Sequence, residues 1–309
     1  MNTKECFTLI ETKFPHLFTF DQGNNSITLK SGFGNIPPFT LVCVEGGEFE
    51  MGSNEIDIEE MPPHRVKLSS FFIAEFQVTQ ELYKNVTNQN PSLFHGLNHP
   101  VEQVSWYDAI QFCNQINSLL KLPLPYSGKL KIKKCDFQCS TFRLPTEAEY
   151  EYAANGGVSE YNPKDTKNDR EKVITHISSR MKDHYKYSGG NQPNDVGWYD
   201  NNNQYETKPV GLKFPNKLGI YDMSGNVWEW CWDKYESTYY SLCNQIGLVA
   251  NPTGATNSSS RISRGGSWHG DAVDCRVVCR NYNSPSFKWS SGGFRLVFAL
   301  LDPIDIPID

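Results

Sequence analysis

The sequence of 309 residues lacks a long hydrophobic run and a signal-peptide pattern. Crossing a bilayer takes about 20 consecutive apolar residues, and no stretch approaches that length, so we expect no transmembrane segment. The opening residues, MNTKECFTLIETKF, do not follow the basic, apolar and small-residue order of a secretory signal. The sequence by itself does not assign a cellular location, because a signal or an anchor can be removed from a chain.

Positive charge is also scarce. The chain has 29 Lys and Arg against 35 Asp and Glu, a formal net charge of -6 at pH 7. A domain that binds nucleic acid usually carries a basic face, so we expect no nucleic-acid partner. A small ligand or a protein is the partner that this composition favours. The nine cysteines are odd in number and irregularly spaced, so they predict packed, reduced thiols and no disulfide framework.

Transition-metal patterns are missing as well. His95 and His99 have the i, i+4 spacing of a helical metal pair, but Gly96 and Pro100 argue against a helix there and no zincin-type Glu accompanies them. The spacing of Cys275 and Cys279 is C-x3-C, not the C-x2-C of a zinc ribbon. The sequence therefore favours an ordinary loop around the histidines and two packed thiols.

What the chain does contain is enough apolar surface for a sizeable core, with 38% hydrophobic and 13% aromatic residues. Two capped helices are predicted. Ser105 and Asp108 begin the first, whose inward face is formed by Ala109, Phe112, Cys113, Ile116, Leu119 and Leu120. Thr146 and Glu149 form the capping box of the second, which ends at a Gly pair and turns Tyr150, Ala153 and Ala154 inward.

We divide the chain into an N-terminal extension (1–38), a main domain (39–300) and a tail (301–309). The extension contains two alternating runs around Gly23 that predict a hairpin, and it ends at a Pro pair. Residues 156–204 are rich in Asn, Asp, Lys and Gly without helical period, so we predict mostly loop. Buried Trp indoles, cations or side-chain hydrogen bonds are then needed to fasten the fold.

The segment GIYDMSGNVWEWCWD admits two interpretations. Trp228, Trp230 and Trp232 alternate, as on one face of a buried strand. Asp222 and Glu229, together with carbonyls of the turn between them, also have the oxygen chemistry that Ca²⁺ prefers. Packing and capping is the favoured interpretation, and a structural calcium site is the alternative.

A series of ordered motifs resembles the formylglycine-generating-enzyme (sulfatase-modifying factor) family. The motifs are GGEFEMGS, PPHRVKLSSFFIAEFQVT, HPVEQVSWYDAIQFCN, FRLPTEAEYEYAANGG, KYSGGNQPNDVGWYDNN, PNKLGIYDMSGNVWEW, RISRGGSWHGDAVDCRVVCR and GGFRLV. The resemblance spans residues 39–300 and implies an α+β fold of the C-type-lectin kind: a twisted antiparallel sheet with two main helices and much irregular loop. It also implies the calcium ligands Asp222, Gly225, Val227 and Glu229.

The family includes copper-dependent oxidases that act on a sulfatase cysteine, and the resemblance fails at their active thiols. Those two positions are Ala272 and Val277 here, and neither side chain can ligate a metal or carry redox chemistry. Iron-dependent relatives use histidines of an additional helical bundle that this chain lacks. We therefore expect no enzyme, no copper and no iron. An oxidoreductase that uses Cys275 and Cys279, and a structural interaction module, are the alternatives.

The resemblance also reaches the variable proteins of diversity-generating retroelements, in which adenine-directed rewriting of Asn-type codons yields a restricted set of residues. Between RGGSW and GFRLV, within a region of about 267–296, that set supplies His269, Gly270, Asp271, Asp274, Asn281, Tyr282, Asn283, Ser284, Ser286, Phe287, Ser290, Ser291 and Gly292. Lys288 and Trp289 fall outside the set and would be fixed by the template. An ordinary Ser- and Asn-rich loop is the alternative.

This composition predicts a binding site, because Tyr, Ser, Gly and Asn are the residues that paratopes favour. The expected ligand-binding residues are those of the restricted set except Gly292, together with Trp289. Tyr282, Phe287 and Trp289 are the expected aromatic anchors. We expect them on one exposed face built from neighbouring strands and the loop between them. The ligand would be an unidentified protein or surface. A monomer is expected, and the resemblance implies display at a cell surface, although no signal or anchor is visible.

Overall fold

A six-stranded sheet forms the centre of the fold in the computed structural model, which describes residues 1–128, 134–157 and 185–300. All of its strand pairs are antiparallel, in the order β1-β2-β3-β6-β15-β9. Its strands are β1 (Phe18–Asp21), β2 (Ser26–Leu29), β3 (Thr40–Val44), β6 (Phe71–Ala74), β9 (Phe142–Arg143) and β15 (Val297–Ala299).

The remaining strands of the described residues form three smaller sheets. Their orders are β13-β12-β10-β14, β11-β5-β4 and β7-β8, with parallel pairing only for β10 with β14 and β11 with β5. These strands are β4 (Gly47–Met51), β5 (His64–Leu68), β7 (Tyr126–Ser127), β8 (Lys134–Cys135), β10 (Trp228–Lys234), β11 (Leu248–Ala250), β12 (Arg261–Arg264), β13 (Arg280–Asn283) and β14 (Gly292–Gly293).

The α-helices of the described residues are α1 (Thr3–Lys13), α2 (Gln80–Thr87), α3 (Trp106–Leu119), α4 (Glu147–Ala154), α5 (Pro193–Val196) and α6 (Tyr239–Ile246). Both predicted capping boxes are confirmed, with Ser105 and Asp108 at α3 and Thr146 and Glu149 at α4. The predicted inward face of α3 is buried except Leu119, which is 51% exposed. No helix among these combines the length and apolarity of a membrane span.

The predicted N-terminal hairpin is confirmed by the pairing of β1 with β2. It continues the central sheet, because β2 pairs in turn with β3. Helix α1, which the sequence analysis did not predict, buries Cys6, Phe7 and Ile10, and the Phe7 ring lies edge-on to Phe72 at 5.8 Å. These contacts join the extension to the sheet, while the predicted domain boundaries themselves stay predictions.

The packing interpretation of the Trp-rich strand is confirmed. Trp228, Trp230 and Trp232 on β10 are all buried, at 8, 0 and 8% exposure. The Trp230 indole donates to the carbonyl of Val104 at 3.1 Å, and the Trp106 indole donates to the carbonyl of Cys231 at 2.9 Å. The indole on β10 thus binds the backbone just before α3, and the indole on α3 binds the backbone of β10. Together these two hydrogen bonds fix the four-stranded sheet against α3.

The long polar tract is described only in part. Residues 158–184 lie outside the described residues, as does the predicted tail 301–309. From residue 185 to 204 the chain forms turns and the short helix α5, in agreement with the loop prediction. The predicted loop around the histidines is also confirmed, with His99 bonded to the Thr207 hydroxyl at 3.0 Å.

Candidate binding surface at residues 267–296

The region begins at the end of β12 and continues through a short 3-10 turn (Ala272–Cys275), β13 and a loop to β14. β13 and β14 lie at opposite edges of the four-stranded sheet, with β12 and β10 between them. The expectation of neighbouring strands is therefore wrong: β13 turns back on β12, whereas β14 pairs in parallel with the far side of β10. Three strand spacings of about 4.8 Å make the connecting loop span roughly 14 Å.

Most of the predicted binding positions are accessible to solvent. Ser291 is the exception; it is buried, and its carbonyl accepts from the Trp228 amide at 2.8 Å. The exposed positions are His269, Asp271, Tyr282, Ser284, Ser286 and Phe287. The partly buried positions are Gly270, Asp274, Asn281, Asn283, Trp289 and Ser290.

One hydrogen bond connects the two ends of the region. The Trp268 indole, buried at the start, donates to the carbonyl of Ser290 at 2.9 Å. The His269 ring lies edge-on to the Trp268 ring, with 5.1 Å between their centroids. The Gly270 carbonyl accepts a hydrogen bond from the Asp200 amide at 3.1 Å. The first and last segments of the region are therefore held beside each other.

The three expected aromatic anchors lie against different parts of the scaffold. Tyr282, 37% exposed, stacks on Tyr235 at 3.6 Å. Phe287, 46% exposed, stacks on Trp289 at 5.1 Å, and Trp289 in turn lies edge-on to the buried Trp230 at 5.0 Å. Each accessible ring is thus supported by a second ring, which limits the conformational entropy it loses on binding.

Buried arginines fix the backbone of the region to the rest of the fold. Arg276 donates two hydrogen bonds to Glu60, at 2.9 and 2.6 Å, and Arg280 donates two to Glu147, at 2.6 and 2.8 Å. Arg264, just before the region, donates one hydrogen bond to Glu151, and Arg295 donates two to Glu229, at 2.6 and 2.8 Å. These pairs were not predicted from the sequence.

Helix α4 supplies much of the acidic side of this network, since all of its residues are buried, including Glu147, Glu149 and Glu151. Three glutamates on a wholly buried helix need cationic partners, because a buried unpaired charge is costly. In the segment TEAEYEYAA, the closely spaced glutamates of a buried helix were therefore the signal that could have predicted buried arginine partners. None of these pairs involves an accessible side chain of the region, so the exposed positions are free to differ without loss of the network.

The two cysteines of the region are poor candidates for redox chemistry. Cys275 and Cys279 are buried, at 1 and 7% exposure. Burial raises the pKa of the Cys279 thiol to about 12 and also raises the pKa of the Cys275 thiol. A thiolate is the nucleophile and the metal ligand, and these surroundings oppose its formation. Ala272 lies in the 3-10 turn and Val277 is buried among apolar side chains.

The predicted calcium ligands converge on an amide nitrogen. Gln77 Nε2 lies within hydrogen-bond distance of four oxygens, the carbonyl oxygens of Asp222 (3.2 Å), Gly225 (3.3 Å) and Val227 (3.2 Å) and Glu229 Oε1 (3.0 Å), and its two N–H groups can donate to two of them at a time. The Asp222 carboxylate points elsewhere, accepting from the Gly211 amide at 2.7 Å. Binding of Ca²⁺ by these oxygens would require the Gln77 side chain to leave the ring that they form.

No group of three or more His, Cys, Asp or Glu side chains within the described ranges is arranged to hold a metal ion. Burial raises the pKa of Asp222 to about 6, and its Oδ1 atom is enclosed without a hydrogen-bond partner. The calcium prediction for Asp222, Gly225, Val227 and Glu229 stays a prediction, with Gln77 as the competing occupant.

Comparison with known proteins supports the motif-based assignment. Residues 35–300 match the family described as "Sulfatase-modifying factor enzyme 1-like domain". The structure of Treponema denticola variable protein 1 is similar to this one, with 31% sequence identity, a TM-score of 0.74, and coverage of 89% of this chain and 99% of that chain. The predicted fold class and the predicted resemblance are thereby confirmed.

Curated relatives have varied names. Chaperone protein LppX of Paenibacillus barcinonensis is 33% identical over 260 residues, which are 74% of this chain and 78% of that protein. Formylglycine-generating enzyme of Mus musculus is 28% identical over 224 residues, which are 69% of this chain and 48% of that protein. The aligned part therefore spans about half of the mouse enzyme, and the family contains proteins named as enzymes as well as others.

Proposed function

We propose that this chain, which belongs to the sulfatase-modifying factor enzyme 1-like family, is a binding protein whose residues 267–296 form a diversified ligand surface. The observation that carries the proposal is that the accessible and the buried side chains of the region differ in chemistry and in role. Its accessible side chains are small, polar or aromatic, whereas its buried arginines bind glutamates of the scaffold. Such a division lets the surface change while the fold stays the same.

A binding role without catalysis is supported by the chemistry of the oxidase positions. The resemblance to the copper oxidases implies that Ala272 and Val277 stand at the positions of their thiols. Cys275 and Cys279 do not replace them, because their burial opposes the thiolate. A diversified surface is further supported by the similarity to a structure named as a variable protein.

A protein surface is the ligand class that the side chains favour. Tyr282 and Phe287 offer supported aromatic area, which usually dominates binding energy, and the Ser and Asn side chains around them provide adaptable hydrogen bonds. The relative named as a chaperone is a second reason to expect a polypeptide ligand.

The proposal is tested by selecting binders from a displayed library. Exposed positions 269, 271, 282, 284, 286 and 287 are varied within the restricted residue set, and cells are sorted for folded display and for binding to hen-egg lysozyme, an arbitrary protein target. We expect most library members to fold, since exposed substitutions usually change stability by about 0.5 kcal/mol or less. We also expect specific lysozyme binders to emerge.

The matched control varies the same number of exposed positions on and beside α6, at 237, 238, 241, 244, 245 and 246. The proposal requires binders to arise more often from the first library than from this one. Equal frequencies in the two libraries, or a first library that is mostly unfolded, would contradict it.

A further inference from the structure

An open cavity of about 870 Å³ lies beside the loop that follows β13. Helix α3 supplies one wall through Tyr107 and Gln111, and the start of β12 supplies another through Arg261. Ser284 and Ser286 of the variable region line only one rim. Most of the lining is thus outside the proposed variable surface, so this cavity is a separate feature of the scaffold.

Arg261 differs from the other buried arginines of the described residues. Five of them bind a carboxylate: Arg143, Arg264, Arg276, Arg280 and Arg295. Arg261 is only 4% exposed, yet no carboxylate of the described part of the chain forms an ion pair with it. A buried charge without a counter-charge costs several kcal/mol. An anionic ligand would supply the counter-charge that Arg261 lacks.

The surroundings of Arg261 prepare it for a ligand. Its guanidinium lies over the rings of Trp106 at 3.7 Å and Trp232 at 4.7 Å, and Nη1 donates to the Trp232 carbonyl. The centroids of the two indole rings are only 5.4 Å apart, so the rings pack on adjacent sides of the guanidinium and do not enclose it between them. The Nε and Nη2 atoms of Arg261 are not among the fully enclosed polar atoms that lack a hydrogen-bond partner. This is expected if their edge of the guanidinium opens to the cavity that Arg261 lines.

Asp233, the acidic side chain whose charge acts on Arg261, is not an adequate counter-ion. Burial lowers the pKa of Arg261 to about 10, with Asp233 opposing the shift. Burial also raises the pKa of Asp233 to about 8, so that carboxyl is largely protonated at neutral pH. Its Oδ2 atom already accepts from the Glu147 amide at 2.9 Å.

We propose that this cavity binds an oxyanion group, carried by a small organic ligand and held by the guanidinium edge of Arg261. Lys234 is a second cation in the lining, hydroxyl donors come from Ser258, Ser259 and Ser260, and none of the described residues that line the cavity is a carboxylate. Tyr107, Ile110 and Tyr126 provide apolar surface for the rest of the ligand. Carboxylate, sulfate and phosphate share the geometry that the guanidinium fork recognises.

Isothermal titration calorimetry of the full chain tests the proposal with four aryl probes: benzoate, phenyl sulfate, phenyl phosphate and the neutral benzyl alcohol. We expect at least one anion to bind and benzyl alcohol to bind at least tenfold more weakly. The anion that binds best identifies the source of the charge as carboxylate, sulfate or phosphate. Binding of benzyl alcohol as strong as that of every anion, or no anion binding, would overturn the proposal.

Anion binding by single-residue variants tests whether the ligand is bound in this cavity. Gln111→Glu adds a negative charge to the lining, and Ser118→Glu adds the same charge to an exposed position of the same helix outside the cavity. We expect Gln111→Glu to weaken anion binding about tenfold and Ser118→Glu to leave it within twofold. Arg261→Met should abolish it. Should that variant not fold, the first pair still decides, because equal effects of the two Glu variants would overturn the proposal.

Discussion

The guanidinium of Arg280 binds the carboxylate of Glu147 through two hydrogen bonds, of 2.6 and 2.8 Å, and both side chains are 2% exposed. The pair joins β13, the first strand of residues 267–296, to helix α4. The same arrangement recurs between Arg276 and Glu60. The proposed diversified surface needs a backbone that keeps its position when the side chains differ, and these buried pairs would provide that support.

Removing one partner of this pair should be strongly destabilising. Arg280→Ala leaves Glu147 buried with less compensation, and we expect the free energy of unfolding to fall by about 3–5 kcal/mol. Urea denaturation measures this loss. The control is Arg65→Ala, which breaks an ion pair with Glu48 whose arginine is 63% exposed, and whose loss should cost at most about 1 kcal/mol. Similar losses in the two variants would contradict a structural role for the buried pair.

Stability should depend on pH through Asp233. Burial and, second, repulsion from Glu147 raise its pKa from 3.8 to about 8. The folded state therefore holds a proton that the unfolded state releases in this window, so the free energy of unfolding falls as pH rises from about 4 to 8. Asp233→Asn keeps an acceptor for the Glu147 amide and should make the slope shallower, by up to about 1.4 kcal/mol per pH unit. Asp200→Asn, at an exposed position, is the control; an unchanged slope in Asp233→Asn would refute the assignment.

The ring of oxygens around Gln77 should be stable without calcium. Because the amide nitrogen occupies its centre, we expect a chelator to leave the melting temperature unchanged. Gln77→Ala leaves buried acceptors unpaired and should cost about 1–3 kcal/mol. Calcium found by elemental analysis, with a melting temperature that falls on chelation, would instead support the ligands predicted from the sequence.

Copper-dependent oxidation of a sulfatase-type cysteine peptide should be absent. Ala272 and Val277 offer no thiolate, and the buried Cys275 and Cys279 are poorly suited to form one. An oxygen-consumption assay with copper and the peptide measures this directly. Turnover that disappears in Cys275→Ser or Cys279→Ser would show that the alternative, an oxidoreductase with shifted thiols, is correct.

The sequence predicts those parts of this fold that depend on neighbouring residues. The caps at Ser105 and Thr146 are local patterns, and so is the alternation of Trp on β10. Helix α1 was within reach too, because Asn2 and Glu5 form a capping box of the same type. Its buried residues are few, namely Cys6, Phe7 and Ile10, so its helical periodicity is weak.

Long-range arrangements were not predictable in this way. Arg276 and Glu60 are separated by 216 positions, and nothing in either segment names the other. The order that places β10 and β12 between β13 and β14 is likewise a property of the whole sheet. The polar and small residue types at 269–291 indicated that most of these positions are exposed. The burial of Ser291 results from its contact with β10, which cannot be predicted from composition.

The most direct test of a diversified surface is the DNA sequence around the gene. The account predicts an imperfect repeat of the codons for residues 267–296, near a reverse transcriptase gene, that differs from them almost only at adenines. The differences should fall in codons of accessible residues such as Tyr282 and Phe287 and should spare those of Arg276 and Arg280. No such repeat, or differences spread equally over the buried arginines, would contradict the account.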